Sequence, residues 1–345
     1  MPLSLQRRRL VTGALASVPL AMGASLAPSR AQAQAASLKI SHQFPGATGN
    51  EGDFRDRLCK QFAADVEKRT NGALKFEVYP NSSLMKVNTQ FASLRRGALD
   101  LSLVPISYSG GEVPETNIGL MPALVPSYEI GSAWKTAEVG RMLNQIMLDK
   151  GIVIVTWIWQ AGGVASRSKA LVSPDDAKGM KVRGGSREMD LMFKDAGASV
   201  LSLPSNEIYA AMQTGAMDAA LTSSTSLISF RLEEVSKFLT SGRGKSYWFM
   251  FEPLLMSKIV FDKLPKGQQD AVMSVGADLE KFAVSAAKAD DIAVAGVYTK
   301  AGAKVYDLDD ASLKKWQALA QPVWKDYADK NENCAKLLAA AQKLL

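Results

Sequence analysis

Metal-binding and nucleophilic side chains are scarce in this 345-residue chain, which contains one histidine and two cysteines. His42, Cys59 and Cys334 are far apart in sequence, so they form neither a spacing typical of a zinc site nor a nucleophile–base pair. A glycine-rich phosphate loop is also missing, because the Gly162-Gly163 pair is too short to be one. The sequence therefore predicts a protein without metal or cofactor and gives little support for an enzyme.

The N-terminus has the layout of an export signal. Arg7-Arg8-Arg9 precedes an uncharged run over residues 10–27, and a small-residue segment follows over residues 29–35. Glycine and proline make this run too weakly apolar for a membrane span, and no later stretch is apolar enough. The arginines favour the twin-arginine route over the general one. We expect residues 1–35 to be a signal peptide, cleaved after Ala33 or Ala35, and the mature protein to be periplasmic.

Cleavage of the predicted signal peptide would also lower the net positive charge of the protein. The full chain has 41 basic and 34 acidic residues, and four of the basic ones lie in the signal, so the mature excess is only three. This small excess gives no reason to expect nucleic acid or an acidic membrane surface as a partner. In an oxidising compartment Cys59 and Cys334 either pair or remain buried free thiols, and the sequence leaves both open.

The first part of the mature chain has the pattern of a parallel α/β sheet. Strands are predicted over residues 36–41, 74–78 and 98–104, with helices between them. The first helix has Phe54, Leu58, Phe62 and Val66 on one face, and Asn71-Gly72 marks its end. This β-α-β-α-β order predicts parallel neighbours.

Two apolar segments are predicted to cross between two domains. Residues 151–160 read as one long strand leading into a second domain, and residues 246–251 read as the return. A single helix is predicted over 130–150. Another over 266–301 is long enough, at about 50 Å, to run along both domains, and Gly276 or Gly296 could bend it. The expected lobes are 36–160 plus about 249–288, and 161–248 plus about 289–345.

Arg183 is the main candidate for ligand binding. The segment Met180-Lys181-Val182-Arg183-Gly184-Gly185 reads as a strand that ends on an arginine and enters a glycine turn. The carboxyl ends of such strands face the ligand crevice in open α/β sheets. A guanidinium donates two parallel hydrogen bonds to a carboxylate and keeps its charge. A structural ion pair of Arg183 with Asp176 or Glu188 is the alternative.

The order and spacing of several short motifs resemble the DctP-type solute-binding proteins of tripartite ATP-independent periplasmic (TRAP) transporters. The matching segments are Thr70-Asn71-Gly72, Tyr79-Pro80-Asn81-Ser82-Ser83-Leu84, Arg96-Gly97-Ala98-Leu99-Asp100, Leu120-Met121-Pro122, Asp176-Ala177-Lys178-Gly179-Met180-Lys181-Val182-Arg183 and Glu207-Ile208-Tyr209-Ala210-Ala211-Met212-Gln213-Thr214-Gly215. The resemblance implies an α/β, two-lobed periplasmic-binding-protein-like fold with crossing hinge strands and a long helix spanning both lobes. It also implies that Arg183 binds a substrate carboxylate, and that a small and a large integral membrane subunit are partners.

The chain departs from that family at two places. Thr222 or Ser223 stands where many members have a ligand-binding asparagine, and Gly162-Gly163 stands where some have a second arginine. These differences favour a monocarboxylate with a less polar tail over a dicarboxylate. An aromatic or 2-oxo acid fits best, and a sugar acid is the alternative.

Further side chains are candidates for the cleft because they lie at strand ends or on the crossing segments. They are Ser186, Trp159, Gln160, His42, Phe44, Tyr108 and Trp248. The two tryptophans could stack on a flat ligand. His42 is more commonly structural in such a position, and aromatic residues on strands are commonly core.

The sequence therefore predicts a monomeric receptor that binds an organic acid and does no chemistry on it. An exported hydrolase or isomerase using Asp218 or Glu207 is the hypothesis from a different class. Glu207 is better explained as a first-turn acid that complements the helix dipole. A receptor for an ATP-driven importer would share the lobes but not the long helix.

Overall fold

The computed structural model describes residues 36–345, which form one compact unit, and the statements below concern that part of the chain. The predicted signal peptide lies outside the described residues. The strands are β1 Ala36–His42, β2 Leu74–Tyr79, β3 Leu101–Leu103, β4 Ile152–Thr156, β5 Trp159–Ser166, β6 Lys181–Arg183, β7 Ser199–Val200, β8 Ala219–Ser223, β9 Phe238–Ser241, β10 Phe249–Phe251, β11 Leu254–Ser257 and β12 Lys304–Asp307. The α-helices are α1 Phe54–Arg69, α2 Val87–Arg95, α3 Tyr128–Ala133, α4 Glu138–Asp149, α5 Arg187–Asp195, α6 Ile208–Gln213, α7 Ser224–Ser229, α8 Lys258–Phe261, α9 Lys266–Asp278, α10 Glu280–Lys300, α11 Asp310–Ala328 and α12 Glu332–Gln342.

Two β-sheets define the two lobes. The first sheet has the order β2-β1-β3-β11-β4, and the second has the order β12-β9-β5-β8-β6-β7, with β10 paired to β5. In the first sheet β1 is parallel to both β2 and β3, as the β-α-β-α-β pattern predicts. In the second sheet β6 is parallel to β7 and β8, so the carboxyl ends of these three strands meet at one edge.

The apolar segment predicted as one crossing strand is two strands in different sheets. β4 pairs with β11 in the first sheet, and β5 pairs with β8 and β9 in the second. The sheet changes at Trp157-Ile158, which belongs to neither strand. The return passes from β10, which pairs with β5, to β11 in the first sheet. The chain thus crosses twice, side by side, between the lobes.

Both long helices predicted from the sequence are interrupted. The segment 130–150 forms α3 and α4, and the turn between them includes the buried Trp134. The segment 266–301 forms α9 and α10, which meet at Leu279. The prediction of uninterrupted helices is therefore wrong. The pair still spans both lobes, because α9 packs on β4 while α10 contacts α1 on one side and α7, β5 and β9 on the other.

Helix α1 shows why these elements form where they do. Asp53 caps its N-terminus by accepting a hydrogen bond from the backbone of Arg55, and the helix ends before Asn71, whose φ is 51°. The four apolar residues of its predicted face, which are Phe54, Leu58, Phe62 and Val66, are all buried. Burying each such side chain contributes about 1.5–3 kcal/mol.

The two thiols are buried and unpaired. Cys59 lies in α1 and Cys334 in α12. Burial raises the pKa of the Cys59 thiol well above its usual range and that of Cys334 to about 11. Both are therefore protonated and weakly reactive at neutral pH in the folded protein.

Two kinds of feature are absent from residues 36–345. No helix there has both the length and the apolar character needed to cross a bilayer. No group of three or more histidine, cysteine or acidic side chains in this region is arranged to hold a metal ion.

Candidate functional site

Arg183 lies at the carboxyl end of β6 and is almost completely buried, with 2% of its surface exposed. Its Nε donates to the carbonyl oxygen of Leu203 at 3.0 Å, and its Nη1 donates to that of Leu221 at 2.7 Å. Its Nη2 donates to the hydroxyl of Tyr108 at 2.8 Å. The guanidinium is thus held by two backbone carbonyls of its own lobe and one phenol of the other.

No carboxylate of the described residues lies within ion-pairing distance of Arg183. The two proposed structural partners are engaged elsewhere, because Asp176 accepts hydrogen bonds from the Ser173 backbone and side chain and Glu188 pairs with Lys330. A guanidinium carries five N–H donors, and the three bonds above use one on each nitrogen. One donor on each terminal nitrogen therefore has no acceptor in residues 36–345. An unpaired buried charge is costly, so this site is suited to an anion supplied from outside.

A glycine turn lies directly on the guanidinium. Gly185 has a φ of +98°, and a Cβ atom there would lie 2.7 Å from Nη1 of Arg183. Only glycine meets both conditions without strain. Asp190 of α5 fixes the turn by accepting a hydrogen bond from the backbone nitrogen of Gly184 at 2.9 Å. Burial raises the pKa of Asp190 to about 6, although that bond and the charge of Arg183 oppose the change.

Ser186 follows the turn and joins the two lobes. Its hydroxyl accepts from the backbone nitrogen of Met189 at 3.1 Å, which caps α5, and donates to the carbonyl of Leu120 at 3.0 Å. Both functions of this hydroxyl are occupied in the structure. Ser186 therefore links the second lobe to Leu120 of the first, and its predicted contact with the ligand stays a prediction.

Tyr108 reaches Arg183 from the first lobe. It belongs to the 3-10 helix Ile106–Ser109, which follows β3. Its hydroxyl oxygen accepts hydrogen bonds from Nη2 of Arg183 and, at 3.1 Å, from the backbone nitrogen of Ser205. Tyr108 also lines a cavity of about 570 Å³, together with Ser107, Asn117, Gly185, Ser186 and Arg187.

The end of β8 differs from the predicted arrangement of polar ligand contacts. The Ser223 hydroxyl caps α7 by accepting from the backbone nitrogen of Ser226 at 3.1 Å. Thr222 is buried, and its carbonyl oxygen would lie 2.4 Å from a Cβ atom placed on Gly162. The ring of Trp248 would lie equally close to that atom. A second arginine at the glycine pair therefore has no space for its side chain.

The two candidate tryptophans have different surroundings. Trp248 donates from Nε1 to the carbonyl of Gly184 at 3.1 Å, so it supports the turn on Arg183. Trp159 packs in an aromatic cluster, with ring centroids 5.0 Å from Trp134 and 5.1 Å from Phe251. The structure thus brings Trp248, but not Trp159, to the glycine turn.

His42 is fully buried and both of its ring nitrogens are engaged. Nε2 is 3.0 Å from Oδ1 of Asp56, and Nδ1 accepts from the backbone nitrogen of Phe44 at 3.3 Å. Because Nδ1 is an acceptor, Nε2 carries the hydrogen and donates to Asp56. This pairing is the structural role that a histidine at a strand end commonly has.

A buried ion cluster, not foreseen from the sequence, lies between the sheets. Arg55 donates from Nε and Nη2 to the two carboxylate oxygens of Asp53 at 2.9 and 2.6 Å, and from Nη1 to Glu252 at 3.1 Å. It also donates to the hydroxyl of Ser226 at 3.0 Å. The Phe44 ring lies 3.6 Å from its guanidinium carbon.

Three predicted site residues belong to this Arg55 cluster, namely Phe44, whose ring stacks on Arg55, Gln160 and Ser223. Gln160 donates from Nε2 to Glu252, and Ser223 accepts a long bond of 3.4 Å from Nη1 of Arg55. The Asp53 cap before α1 was a possible sequence clue. The pairing with Glu252, nearly two hundred residues away, had none.

Comparison with known proteins identifies the family. Residues 48–331 match the DctP family, described as "Bacterial extracellular solute-binding protein, family 7". The chain belongs to the DctP family. A protein of Albidiferax ferrireducens named "Solute-binding protein" is 66% identical over 344 residues, which cover 99% of this chain and all of that one.

Solved structures of DctP-family and TRAP proteins share the fold. A TRAP periplasmic solute-binding protein from Rhodoferax ferrireducens, crystallised with bound malonate, is 69% identical, with a TM-score of 0.88 over 89% of this chain and 98% of that chain. The Bordetella pertussis receptor DctP7, which binds pyroglutamic acid, is 24% identical, with a TM-score of 0.80 over 89% of this chain and all of that one. The predicted family and the two-lobed fold are both confirmed. DctP proteins are extracytoplasmic solute receptors.

Proposed function

We propose that this DctP-family protein is a periplasmic receptor that holds an organic acid on Arg183 and delivers it to the membrane subunits of a TRAP transporter. The observation that carries the proposal is a buried guanidinium with no carboxylate of the described residues within ion-pairing distance and with two N–H donors left over. A carboxylate accepts such a pair of donors in parallel. It would also neutralise the buried charge.

We propose a small acid as the ligand. The malonate in the Rhodoferax ferrireducens relative supports a compact acid. Because malonate is a dicarboxylate, a monocarboxylate preference stays a prediction. Among the predicted monocarboxylates, a 2-oxo acid such as pyruvate suits the geometry better than an aromatic acid, since Tyr108 already lies against the guanidinium. A sugar acid remains the alternative.

A receptor is favoured over a hydrolase or isomerase because the candidate catalytic acid Asp218 has a structural role. Its Oδ2 accepts the backbone nitrogen of Lys181 at 2.8 Å at the start of β6, and its carbonyl accepts from Arg167. The site around Arg183 contains no nucleophile–base pair in the described residues. Proton NMR of malonate or pyruvate incubated with the protein should show the acid unchanged, whereas a new product would support an enzyme.

The test of the proposal is calorimetric binding of malonate and pyruvate to the mature protein and to Arg183→Ala. Each charge-assisted hydrogen bond contributes about 1.5–3 kcal/mol, so losing two should weaken binding by a factor of about a hundred or more. Arg183→Lys keeps the charge but not the paired donors, and should also weaken binding strongly. Arg243→Ala is the matched control, since Arg243 lies in the second lobe and is paired with Asp307 at the surface.

Circular dichroism and thermal unfolding would show whether each variant folds. If folded Arg183→Ala binds both acids as tightly as the Arg243→Ala control, Arg183 is not the anchor and the proposed site is wrong. If neither acid binds even to the unchanged protein, a broader carboxylate screen by thermal shift would identify the ligand. The Arg183 variants would then be compared on that ligand.

A further inference from the structure

We infer that Tyr108 determines the size of the acid that this receptor accepts, an inference that rests on the proposed role of Arg183. The Tyr108 hydroxyl accepts a hydrogen bond from the guanidinium, and Tyr108 also lines the 570 Å³ cavity. Gly185, which lies against the guanidinium, lines that cavity too, but Arg183 is not among its lining residues. An acid large enough to need the cavity must therefore displace the ring before it can reach Arg183.

The Tyr108 hydroxyl is fastened to the opposite lobe. Its oxygen accepts from Nη2 of Arg183 at 2.8 Å and from the backbone nitrogen of Ser205 at 3.1 Å. One of these donors is charged, and hydrogen bonds to charged groups are the stronger ones. Moving the ring therefore costs two hydrogen bonds, which only a ligand with matching acceptors replaces.

The backbone that carries Tyr108 is also well supported. The neighbouring Ser109 hydroxyl donates to the carbonyl of Ile106 at 2.6 Å and lies 3.0 Å from the hydroxyl of Thr116. Thr116 donates in turn to the carbonyl of Val113 at 2.7 Å. These bonds fix the 3-10 turn against the following loop. The ring is consequently a wall of fixed position and not a mobile surface side chain.

The remaining donors of Arg183 suit a small acid that leaves this wall in place. Such an acid needs only the two N–H groups that have no acceptor in the described residues. A larger acid, with the six-carbon frame of a uronate, would need the volume of the cavity that Tyr108 lines. This cavity has a volume typical of pockets for ligands of that size or larger. Replacing Tyr108 by a residue without the ring should open this cavity to the guanidinium of Arg183.

The experiment compares the binding of malonate, pyruvate and D-glucuronate to the unchanged protein, Tyr108→Ala and Tyr108→Phe. We expect the unchanged protein to prefer the two small acids. Tyr108→Ala should gain glucuronate affinity by about tenfold or more, because forcing a bulky group into a packed site carries at least that penalty. Tyr108→Phe keeps the ring but loses the two hydrogen bonds that hold it, so its gain in glucuronate affinity should be clearly smaller than that of Tyr108→Ala. Tyr108→Leu serves as a second truncation if the alanine variant does not fold.

Three results would overturn the role of Tyr108. They are tight glucuronate binding by the unchanged protein, no gain in folded Tyr108→Ala or Tyr108→Leu, and an equal gain in Tyr108→Phe, which would assign the effect to the hydroxyl. The double variant Arg183→Ala/Tyr108→Ala should lose any gained glucuronate binding. Malonate binding that survives in Arg183→Ala contradicts the proposed function itself. If malonate binding depends on Arg183 but the Tyr108 variants keep the size selectivity of the unchanged protein, only the role of Tyr108 is contradicted.

Discussion

Replacing Glu252 by glutamine tests the electrostatic balance of the Arg55 cluster. Arg55 is the single cation of this cluster and is shared by two carboxylates, those of Asp53 and Glu252, and all three side chains are buried. Two buried carboxylates around one guanidinium leave an excess of negative charge. Burial therefore raises the pKa of Glu252 from 4.5 to about 7, although the ion pair with Arg55 opposes the change.

The free energy of unfolding should fall as the pH rises, because the folded protein binds a proton on Glu252 more tightly than the unfolded chain does. Between pH 4.5 and about 7 the folded protein holds a proton on Glu252 that the unfolded chain has released. This contribution to stability is complete below pH 4.5 and is lost as the pH rises through about 7. The difference between the two pKa values corresponds to about 3 kcal/mol.

Urea unfolding of the ligand-free protein and of Glu252→Gln between pH 5 and pH 8 measures this effect. The stability of the unchanged protein relative to the variant should fall by up to about 3 kcal/mol across the range, because glutamine does not titrate. The comparison matters because burial also raises the pKa of Asp190 and Asp291 to about 6. Their contributions are common to both proteins and cancel in the difference.

Glu129→Gln is the matched control for the Glu252 experiment. Glu129 is exposed and pairs with Lys288, and hydrogen bonding from that lysine lowers its pKa to about 2. The same chemical change there should give a flat difference between pH 5 and pH 8. If the curves of the unchanged protein and Glu252→Gln run parallel over this range, Glu252 is ionised throughout and the charge-excess argument fails.

Two further predictions concern packing. Cys59 and Cys334 are buried and unpaired, so Ellman's reagent should react slowly with the native protein. After unfolding without reductant, it should react with two thiols per chain. Rapid reaction of the native protein, or fewer than two thiols after unfolding, would contradict this prediction. Gly162→Ala should lower the free energy of unfolding by about 1–3 kcal/mol, since its Cβ would lie 2.4 Å from Thr222 and Trp248 atoms. Gly267→Ala, which meets no atom within 4 Å, should be neutral or slightly stabilising in the same urea assay, and equal losses would exclude the steric explanation.

Local sequence patterns predict the regular elements well and their interruptions poorly. The β1-α1-β2 unit follows from alternation, a four-residue apolar spacing and the Asn71-Gly72 stop, which are all local signals. The break at Leu279 has only a weak signal, because Gly276 lies three residues before it but helix-forming residues continue through it. The sheet change at Trp157-Ile158 is similarly hidden in a continuous apolar run. Only tertiary packing separates these segments.

The candidate site also combines residues that local sequence signals predict with residues that only tertiary packing brings together. Arg183 was predictable because its strand, its glycine turn and its chemistry are adjacent in sequence. The bond between Arg183 and Tyr108 joins residues 75 positions apart on different lobes, so it depends on how the lobes close. Arg55 was missed because an arginine in the first turn of a helix is normally solvated. Its burial depends on Glu252, which the return crossing brings to it.

The contrast between the two buried arginines is the strongest argument for a receptor. Arg55 has more negative charge around it than it can neutralise, and it needs nothing from outside the chain. Arg183 is almost as buried, but its hydrogen bonds go only to carbonyl and phenol oxygens, and the nearby Asp190 accepts instead from the backbone nitrogen of Gly184. The guanidinium of Arg183 therefore carries a charge that no carboxylate of the described residues pairs with directly. Binding an acid pairs that charge, so closure over ligand should be favoured relative to closure without it. That difference in free energy is what a two-lobed receptor needs to report occupancy to its membrane partners.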